Sequence, residues 1–307
     1  MSSGTFPDCW KLSYITPIFK AGERSDVENY RPISILSAIP KVLERLVHRR
    51  IYSSLRHVII DQQHGFAAGK STLSYLLDFT NYIFSGLDNK HQIDTIYTDF
   101  QKAFDKVDHM MLLQKLSFNG IKGNLLRWFA AYLHNRVQSV VINGFTSSQT
   151  VVTSGVPQGS ILGPLLFSLF INDISKCFLH CNYLLYADDL KLYRTVVTLS
   201  DVELIQEDLD RLDDYCKINK LFLKYSKCLH IVFTRKTHNA ITANFTLGNH
   251  ALERVCSVRD LGVLLDSKLI LDKHIGSIID KAYRMLGFIT LYMSHNWRLY
   301  KRNSYVF

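Results

Sequence analysis

The chain has 307 residues, 47% of them hydrophobic, and carries a formal charge of +9 with an isoelectric point near 9.2. These values exclude an intrinsically disordered or fibrous chain and predict two or three subdomains that share a large buried core. The positive charge makes the surface attractive to polyanions such as nucleic acids.

The expected location follows from the apolar segments and the cysteines. The longest apolar stretch, residues 161–171, is far too short to cross a bilayer, so no membrane segment is predicted. Six cysteines lie without paired spacing at positions 9, 177, 181, 216, 228 and 256, and no secretory signal precedes them. We therefore expect reduced thiols in a nuclear or cytosolic protein that is not secreted.

The N-terminal region begins with a strand-like segment and a corner at Arg31-Pro32, followed by predicted helices over residues 39–58 and 73–84. The first helix is predicted to be amphipathic, with a basic stripe opposite an apolar one. The basic stripe consists of Lys41, Arg45 and Arg49, and the apolar stripe of Val42, Leu46 and Ile51. The basic stripe is either a solvated face or a contact surface for nucleic acid.

Strands and helices mix in the middle of the chain. An apolar strand over residues 93–100 precedes a helix that Asp108 is predicted to cap and a second helix over 124–133. Asn143-Gly144 predicts a hairpin with arms at 136–142 and 147–152. A buried helix is expected over 160–178.

The C-terminal part is predicted to be mainly helical. Ser200 and Glu203 form a capping-box pattern that would start a helix with an apolar inner face and an acidic outer face from Asp201 to Asp214. A last helical pattern spans residues 273–293.

Three acids stand out against their apolar surroundings. Asp188 and Asp189 lie between two apolar runs that read as the arms of a β-hairpin, and Asp99 ends a separate strand. Adjacent carboxylates repel each other, and desolvation adds to the cost, so a bound cation would stabilise them. Oxygen-only ligands favour Mg²⁺, which points to phosphoryl or nucleotidyl transfer. An Asp-Asp pair by itself is also typical of a turn.

The acids belong to a series of eight sequence blocks. In chain order these are residues 17–20 (PIFK), 29–34 (NYRPIS), 63–66 (QHGF), 98–109 (TDFQKAFDKVDH), 154–164 (SGVPQGSILGP), 186–189 (YADD), 226–228 (SKC) and 260–263 (DLGV). With these blocks in this order, residues 6–274 resemble the reverse transcriptase of non-LTR (LINE-type, Jockey-like) retrotransposons. The sequence departs from the family pattern at three positions, Ala67, Lys224 and Leu271, where the family usually has arginine, asparagine and phenylalanine, respectively.

The resemblance implies an α+β right-hand polymerase fold. Residues 1–91 would form the fingers, 92–262 the palm with finger-proximal helices, and 263–307 the start of a truncated thumb. The implied activity is RNA-directed DNA polymerisation, with an RNA template, a DNA primer or target and dNTPs as partners. The alternative is an inactive retroelement relic that only folds and binds nucleic acid.

The resemblance also implies roles for single residues. Asp99, Asp188, Asp189 and the backbone carbonyl of Phe100 would hold two Mg²⁺ ions about 3.5–4 Å apart, with Mn²⁺ as an alternative. Lys227 matches a proposed proton donor to pyrophosphate, although a structural ion pair is the competing interpretation.

Nucleotide contacts are implied in the same way. Lys20, Arg31 and the amides of Lys102 and Ala103 would bind the triphosphate. Phe104 occupies the position whose bulky ring excludes a 2′-hydroxyl. Gln158 would contact the incoming nucleotide, and Gly159 would allow backbone to approach a base pair.

Overall fold

The computed structural model describes residues 3–235 and 240–303, and the side chains up to residue 293. The predicted segments 1–91, 92–262 and 263–307 thus include residues 1–2, 236–239 and 304–307 that lie outside the described part. The helices are α1 (Ala38–Leu55), α2 (Thr72–Asp88), α3 (His109–Phe118), α4 (Gly123–Leu133), α5 (Gly163–Ile171), α6 (Leu199–Ile218) and α7 (Asp272–Asn303). The strands are β1 (Leu12–Phe19), β2 (Tyr30–Ile35), β3 (Gln92–Thr98), β4 (Arg136–Ile142), β5 (Phe145–Thr146), β6 (Thr150–Val152), β7 (Asn182–Tyr186), β8 (Asp189–Val196), β9 (Leu229–Phe233), β10 (Thr246–Leu247), β11 (His250–Ala251), β12 (Glu253–Val255), β13 (Ser257–Asp260) and β14 (Val263–Asp266).

A five-stranded sheet in the order β12-β9-β3-β8-β7 forms the centre of the molecule. Strand β3 lies in the middle, antiparallel to both β8 and β9, and all of its residues except Tyr97 are buried. Strands β7 and β8 form the predicted hairpin, in which Tyr186 pairs with Asp189. Because Thr98 pairs with Leu190, the chain leaves β3 at Asp99 directly beside the start of β8.

A second sheet has the order β2-β1-β4-β5, with β6 also paired to β4. The predicted hairpin around Asn143-Gly144 is confirmed, since Ile142 pairs with Phe145, but in place of the second arm predicted over 147–152 there are two separate short strands, β5 and β6. Its first arm, β4, runs parallel to β1. The N-terminal strands and this hairpin therefore share one sheet although they lie far apart in sequence.

The core has two parts. The larger one packs α3, α4 and α5 against one face of the central sheet, and includes fully buried aromatic residues such as Trp128, Phe129 and Phe167. The smaller one packs α2 on the other side, where the ring of Phe79 makes edge contacts with Tyr97, Tyr193 and Phe233. Aromatic edge contacts of this kind stabilise each pair by roughly 0.5–1.5 kcal/mol beyond burial.

Helix α1 corrects one sequence prediction. Val42 and Leu46 of the predicted apolar stripe are each 60% exposed, and only Ile51 is buried. The buried face instead contains Glu44, whose carboxylate accepts hydrogen bonds from the Tyr132 hydroxyl and the Ile161 amide. A buried acid with such partners is stable, so a count of apolar residues alone selected the wrong face.

Helix α5 is shorter than the predicted helix over 160–178. It covers Gly163–Ile171 and is followed by a 3₁₀ segment, Asn172–Cys177. Pro164 fixes the first turn, where its missing N–H is not needed. At the other end, the Asn172 side chain donates to the Val58 carbonyl and accepts from the Ile60 amide. These bonds tie the residue that follows α5 to the segment after α1.

Helix α6 begins earlier than predicted. Its N-cap is Thr198, and the Asp201 carboxylate accepts the Thr198 amide while pairing with Arg194, so the capping box predicted at Ser200 is wrong. The acidic face is also only partly solvated. Asp208 is buried and accepts the amides of residues 179–181, and Asp213 is buried against the Tyr225 hydroxyl.

The other helix predictions are confirmed, with small shifts at the ends except at α7, which runs to Asn303 where the sequence pattern predicts an end at 293. Asp108 caps α3 by accepting the Met111 amide, as predicted. All six cysteines have free thiols. Helix α7 presents mainly exposed side chains up to residue 293. Within the described residues, no helix combines the length and the apolar character that a membrane crossing requires.

Candidate active site

The β7–β8 hairpin places the paired acids at its turn, at the ends of two strands of the central sheet. Ala187 and Asp188 form its two-residue turn, and Asp189 is the first residue of β8. Ala187 has a φ of +58°, which is unusual for a residue with a Cβ and costs roughly 1–2 kcal/mol. The surrounding structure must therefore hold this turn in place.

Asp99 lies beside this turn at the end of β3. Its carboxylate pairs with the Lys227 ammonium, with Oδ2 and Nζ 3.2 Å apart, and its backbone carbonyl accepts the Lys224 amide. A cavity of about 190 Å³ opens here, and Asp99, Asp189, Lys227 and Arg259 are among the residues that line it. The chain thus brings acids from two strands and basic side chains to one cleft.

The acids influence one another electrostatically. Burial raises the pKa of Asp188, Asp99 raises it further, and Lys20 and Arg31 oppose the shift. Burial together with Asp188 and Asp99 raises the pKa of Asp189 to about 6. The carboxylates of Asp99 and Asp188 therefore make Asp189 harder to ionise, which is the pattern expected of acids that share a cation site.

The donor set at the cleft fits a hard divalent ion, since all three acids offer carboxylate oxygens. In the described residues, no three Asp, Glu, His or Cys side chains converge closely enough to enclose an ion. The Asp99 carboxylate faces Lys227, so it would have to exchange that partner for a metal. Phe100 continues from Asp99 with a buried ring and a bridge to Leu223.

Two of the predicted phosphate-binding residues come from the second sheet. Arg31 lies on β2 opposite Ile18, and Lys20 follows β1, with its amide bonded to the Asn29 carbonyl. Because both cations lower the pKa of Asp188, the structure brings them into the electrostatic reach of the acids.

The loop after Asp99 carries the next predicted group. Lys102 has a left-handed backbone (φ +51°, ψ +46°) and is followed by a 3₁₀ turn that begins at Ala103. A left-handed residue next to a helical one turns successive amides toward one side and forms an anion-binding concavity. The Phe104 ring stacks on Phe167 with centroids 4.3 Å apart and meets the Phe66 edge, so its position is fixed by packing.

The 154–164 block packs directly on this loop. Gln158 donates from Nε2 to the Asp105 carboxylate, and the Val156 amide donates to the Phe104 carbonyl. Gly159 has a φ of +115°, and a Cβ there would lie 2.5 Å from the Ser34 carbonyl oxygen. Glycine is therefore required here because the backbone at Gly159 lies close to β2. The proposed contact of Gly159 with a base pair stays a prediction.

The basic stripe of α1 stands apart from the acids. Arg45 and Arg49 are exposed and Lys41 is half-buried. None of the contacts among the described residues links these three side chains to Asp99, Asp188 or Asp189.

Sequence reasoning missed three sets of residues that support the cleft. Lys191 is fully buried on β8 and pairs with Asp260, with Nζ and Oδ2 2.6 Å apart. Glu44 accepts the first amides before α5, and Gln63 contacts the hairpin turn. The signal that could have found Lys191 and Glu44 is a charged residue within an otherwise apolar face, because such a residue requires a buried partner.

Comparisons with known proteins agree with this geometry. The family described as reverse transcriptase (RNA-dependent DNA polymerase) matches residues 18–289. The chain is 32% identical over 298 residues to a probable RNA-directed DNA polymerase from transposon BS of Drosophila melanogaster, covering 92% of this chain and 32% of that protein. It is 31% identical over 314 residues to the RNA-directed DNA polymerase from mobile element jockey of Drosophila funebris, covering 98% and 33%. The chain spans about a third of the length of these relatives.

The fold has solved counterparts as well. Apo telomerase from Candida tropicalis truncated from its C-terminal domain superposes with a TM-score of 0.58 at 12% identity, covering 86% of this chain and 55% of that one. This likeness confirms the predicted α+β polymerase fold. From the family match over residues 18–289 and the relatives from mobile elements, the chain belongs to the reverse transcriptase family, with its relatives among non-LTR retrotransposons.

Proposed function

We propose that the chain is the polymerase portion of an RNA-directed DNA polymerase, which adds dNTPs to a DNA primer on an RNA template. The observation that carries this proposal is that Asp99 and Asp189 line one cleft, with Asp188 between the two strands of the hairpin and within electrostatic reach of Asp99, Lys20 and Arg31. Carboxylates that can bind divalent metal ions and cations that attract phosphate both serve nucleotidyl transfer. The six free thiols fit a reducing compartment such as the nucleus or cytosol.

The same proposal assigns parts of the fold. Residues 1–91, which include β1, β2, α1 and α2, would act as fingers, residues 92–262 as palm with finger-proximal helices, and residues 263–307 as the start of a thumb. The long helix α7 with its exposed apolar side chains supports the last assignment, because such a face packs against further structure or nucleic acid.

Asp99, Asp188 and Asp189 would hold Mg²⁺, with the Phe100 carbonyl as an additional ligand. Bound there, the metal would activate the primer 3′-hydroxyl and stabilise charge on the phosphates. Loss of the Lys227 contact would free Asp99 for this task, and the released ammonium would face the pyrophosphate leaving group as proton donor.

Arg31, which lies in the second sheet, and Lys20, the residue that follows β1, would bind the triphosphate through their charged side chains. The backbone amides of Lys102 and Ala103 would donate hydrogen bonds to it. The left-handed backbone at Lys102 supports this role, since it opens the loop toward an anion. Gln158 would contact the nucleotide once it exchanges its hydrogen bond with Asp105.

Replacing Phe104 with valine should raise the use of ribonucleotides relative to deoxynucleotides by roughly tenfold or more. The ring is held by Phe167 and would clash with a 2′-hydroxyl, and a clash is relieved by a smaller side chain. The ratio of kcat/KM for the two nucleotides measures the effect. Phe66→Val, which alters the neighbouring edge contact and leaves the Phe104 ring in place, serves as the control, and an unchanged ratio in Phe104→Val would remove the gate assignment.

Mutating Lys41, Arg45 and Arg49 together to alanine should flatten the salt dependence of nucleic-acid binding. Each phosphate contact contributes roughly 0.7–0.9 to the slope of log affinity against log salt, largely independent of sequence. Fluorescence anisotropy between 50 and 200 mM salt gives the slope, in the range where such contacts dominate. A slope equal to that of the unmodified chain would mean that the stripe is a solvated face.

Template-directed primer extension tests the proposed activity itself. The chain, a DNA primer annealed to an RNA of known sequence and the four dNTPs should yield a product complementary to the RNA. Nucleic-acid binding without any such product would instead support the relic that folds and binds but does not polymerise.

A further inference from the structure

The side chain of Gln63 lies directly behind the turn that carries Asp188. It is buried, with 1% of its surface exposed. Its Oε1 accepts the Ala187 amide at 2.9 Å, and its Nε2 donates to the Ala187 carbonyl at 3.2 Å. One side-chain amide therefore satisfies both backbone polar groups of the residue that precedes Asp188.

The backbone around Gln63 reinforces this contact. The His64 amide donates to the Leu185 carbonyl and the Leu185 amide donates to the Gln62 carbonyl, so the segment pairs in parallel with β7. The Gly65 amide donates to Oε1 of Gln63 at 2.8 Å, which fixes the side chain within its own loop. The Gln63 side chain is thus held in place before it engages the turn.

Gly65 makes the approach possible. A Cβ at this position would lie 2.2 Å from the Ala187 nitrogen and 2.9 Å from its Cα, so only glycine lets the two backbones come this close. Ala187 has its strained positive φ at this same contact. Strain of this kind persists where neighbouring groups determine the backbone conformation.

We propose that Gln63 is a positioning residue that fixes the Ala187 peptide and thereby the direction of the Asp188 carboxylate. The proposal rests on the polymerase function above and deepens it. Rotation of the Ala187 peptide would swing the next residue, and errors of about 1 Å in a reacting group reduce rates by roughly a hundredfold.

Gln63→Met tests the proposal, because methionine matches the length of glutamine but forms none of these hydrogen bonds. We expect kcat for primer extension to fall by about 10–100-fold. The KM for dNTP should change little, since the Gln63 side chain bonds Ala187 and Gly65 and none of the predicted phosphate-binding residues. Backbone amide exchange at Ala187 should accelerate in the variant.

Gln92→Met is the matched control. Gln92 is equally buried and also bonds both the amide and the carbonyl of one residue, Ile241. Its third hydrogen bond goes to the Asp94 carboxylate, where that of Gln63 comes from the Gly65 amide. It lies at the start of β3, at the opposite end from Asp99. The Gln92→Met variant should lose stability as Gln63→Met does, but its kcat should equal that of the unmodified chain. Equal falls of kcat in both variants, or a kcat for Gln63→Met within about twofold of the unmodified chain, would overturn the proposal.

Hydrogen exchange in the unmodified protein provides a test that needs neither activity nor a folded variant. The Ala187 amide should exchange as slowly as the amides inside β8, although it lies in a hairpin turn. Fast exchange at Ala187 would overturn the role of Gln63 even if primer extension succeeds. Slow exchange in a chain that extends no primer would instead count against the polymerase function alone.

Discussion

Replacing Asp188 with asparagine should abolish primer extension and leave the metal-free fold intact. The substitution removes one ligand charge at the cleft, and metal stabilisation of the transition state by several kcal/mol corresponds to a loss of about a thousandfold. The shape of the turn should persist, because asparagine is isosteric and the turn is held through the Ala187 backbone.

The same substitution should not lower the stability of the metal-free protein at neutral pH. The pKa values of Asp188 and Asp189 are both raised in the folded chain, so their favourable contribution to stability is fully present below the unfolded pKa near 4 and is lost as the pH rises through the folded pKa values, that of Asp189 being about 6. Asparagine removes one of the two charges that repel each other. Thermal unfolding at pH 7.5 should therefore give a melting temperature equal to or above that of the unmodified chain.

An exposed aspartate provides the control for this experiment. Asp61→Asn removes an exposed charge that is not among the groups that shift the pKa of Asp188 or Asp189, and it should change neither extension nor melting temperature. A melting temperature for Asp188→Asn well below that of the unmodified chain would show that the acids belong to a structural network.

Replacing Lys191 with methionine should destabilise the protein by about 3–5 kcal/mol, since it leaves a buried carboxylate without its partner. Lys191 is fully buried, its ammonium lies 3.7 Å from the Phe79 ring centroid and pairs with Asp260, and burial lowers its pKa to about 8. The Tyr97 hydroxyl also donates to Asp260. Urea unfolding measures the change in free energy.

The double substitution Lys191→Met and Asp260→Asn separates the pair from the packing. Asparagine keeps an acceptor for Tyr97 but carries no charge, so the double variant should recover most of the lost stability. Arg235→Met, which breaks an exposed ion pair with Asp88, should cost less than about 1 kcal/mol. A double variant as unstable as Lys191→Met would contradict this explanation.

The sequence predicted the parts of the site that depend on local pattern. The two acids between apolar arms predicted the hairpin, and Asp108 predicted the start of α3, because turns and caps are decided by neighbours in the chain. It did not predict that β4 would pair with β1, since parallel pairing joins distant segments and leaves no local signal.

The errors share a physical cause. The apolar face of α1 and the acidic face of α6 were assigned by residue type, but Glu44, Asp208 and Asp213 are buried because hydrogen-bond donors from distant segments reach them. The role of Gln63 could not be read either, since it depends on a contact with a turn more than a hundred residues away. Partners across the fold decide where a polar side chain is stable.

Divalent-ion titration of primer extension tests the central claim most directly. The claim is that Asp99, Asp188 and Asp189 form the catalytic centre of a template-directed DNA polymerase. The unmodified chain should extend a DNA primer on RNA only when Mg²⁺ or Mn²⁺ is added, and the double variant Asp188→Asn, Asp189→Asn should give no product at any concentration of either ion. Extension by the double variant at the rate of the unmodified chain, or ion-independent extension by both, would contradict the account.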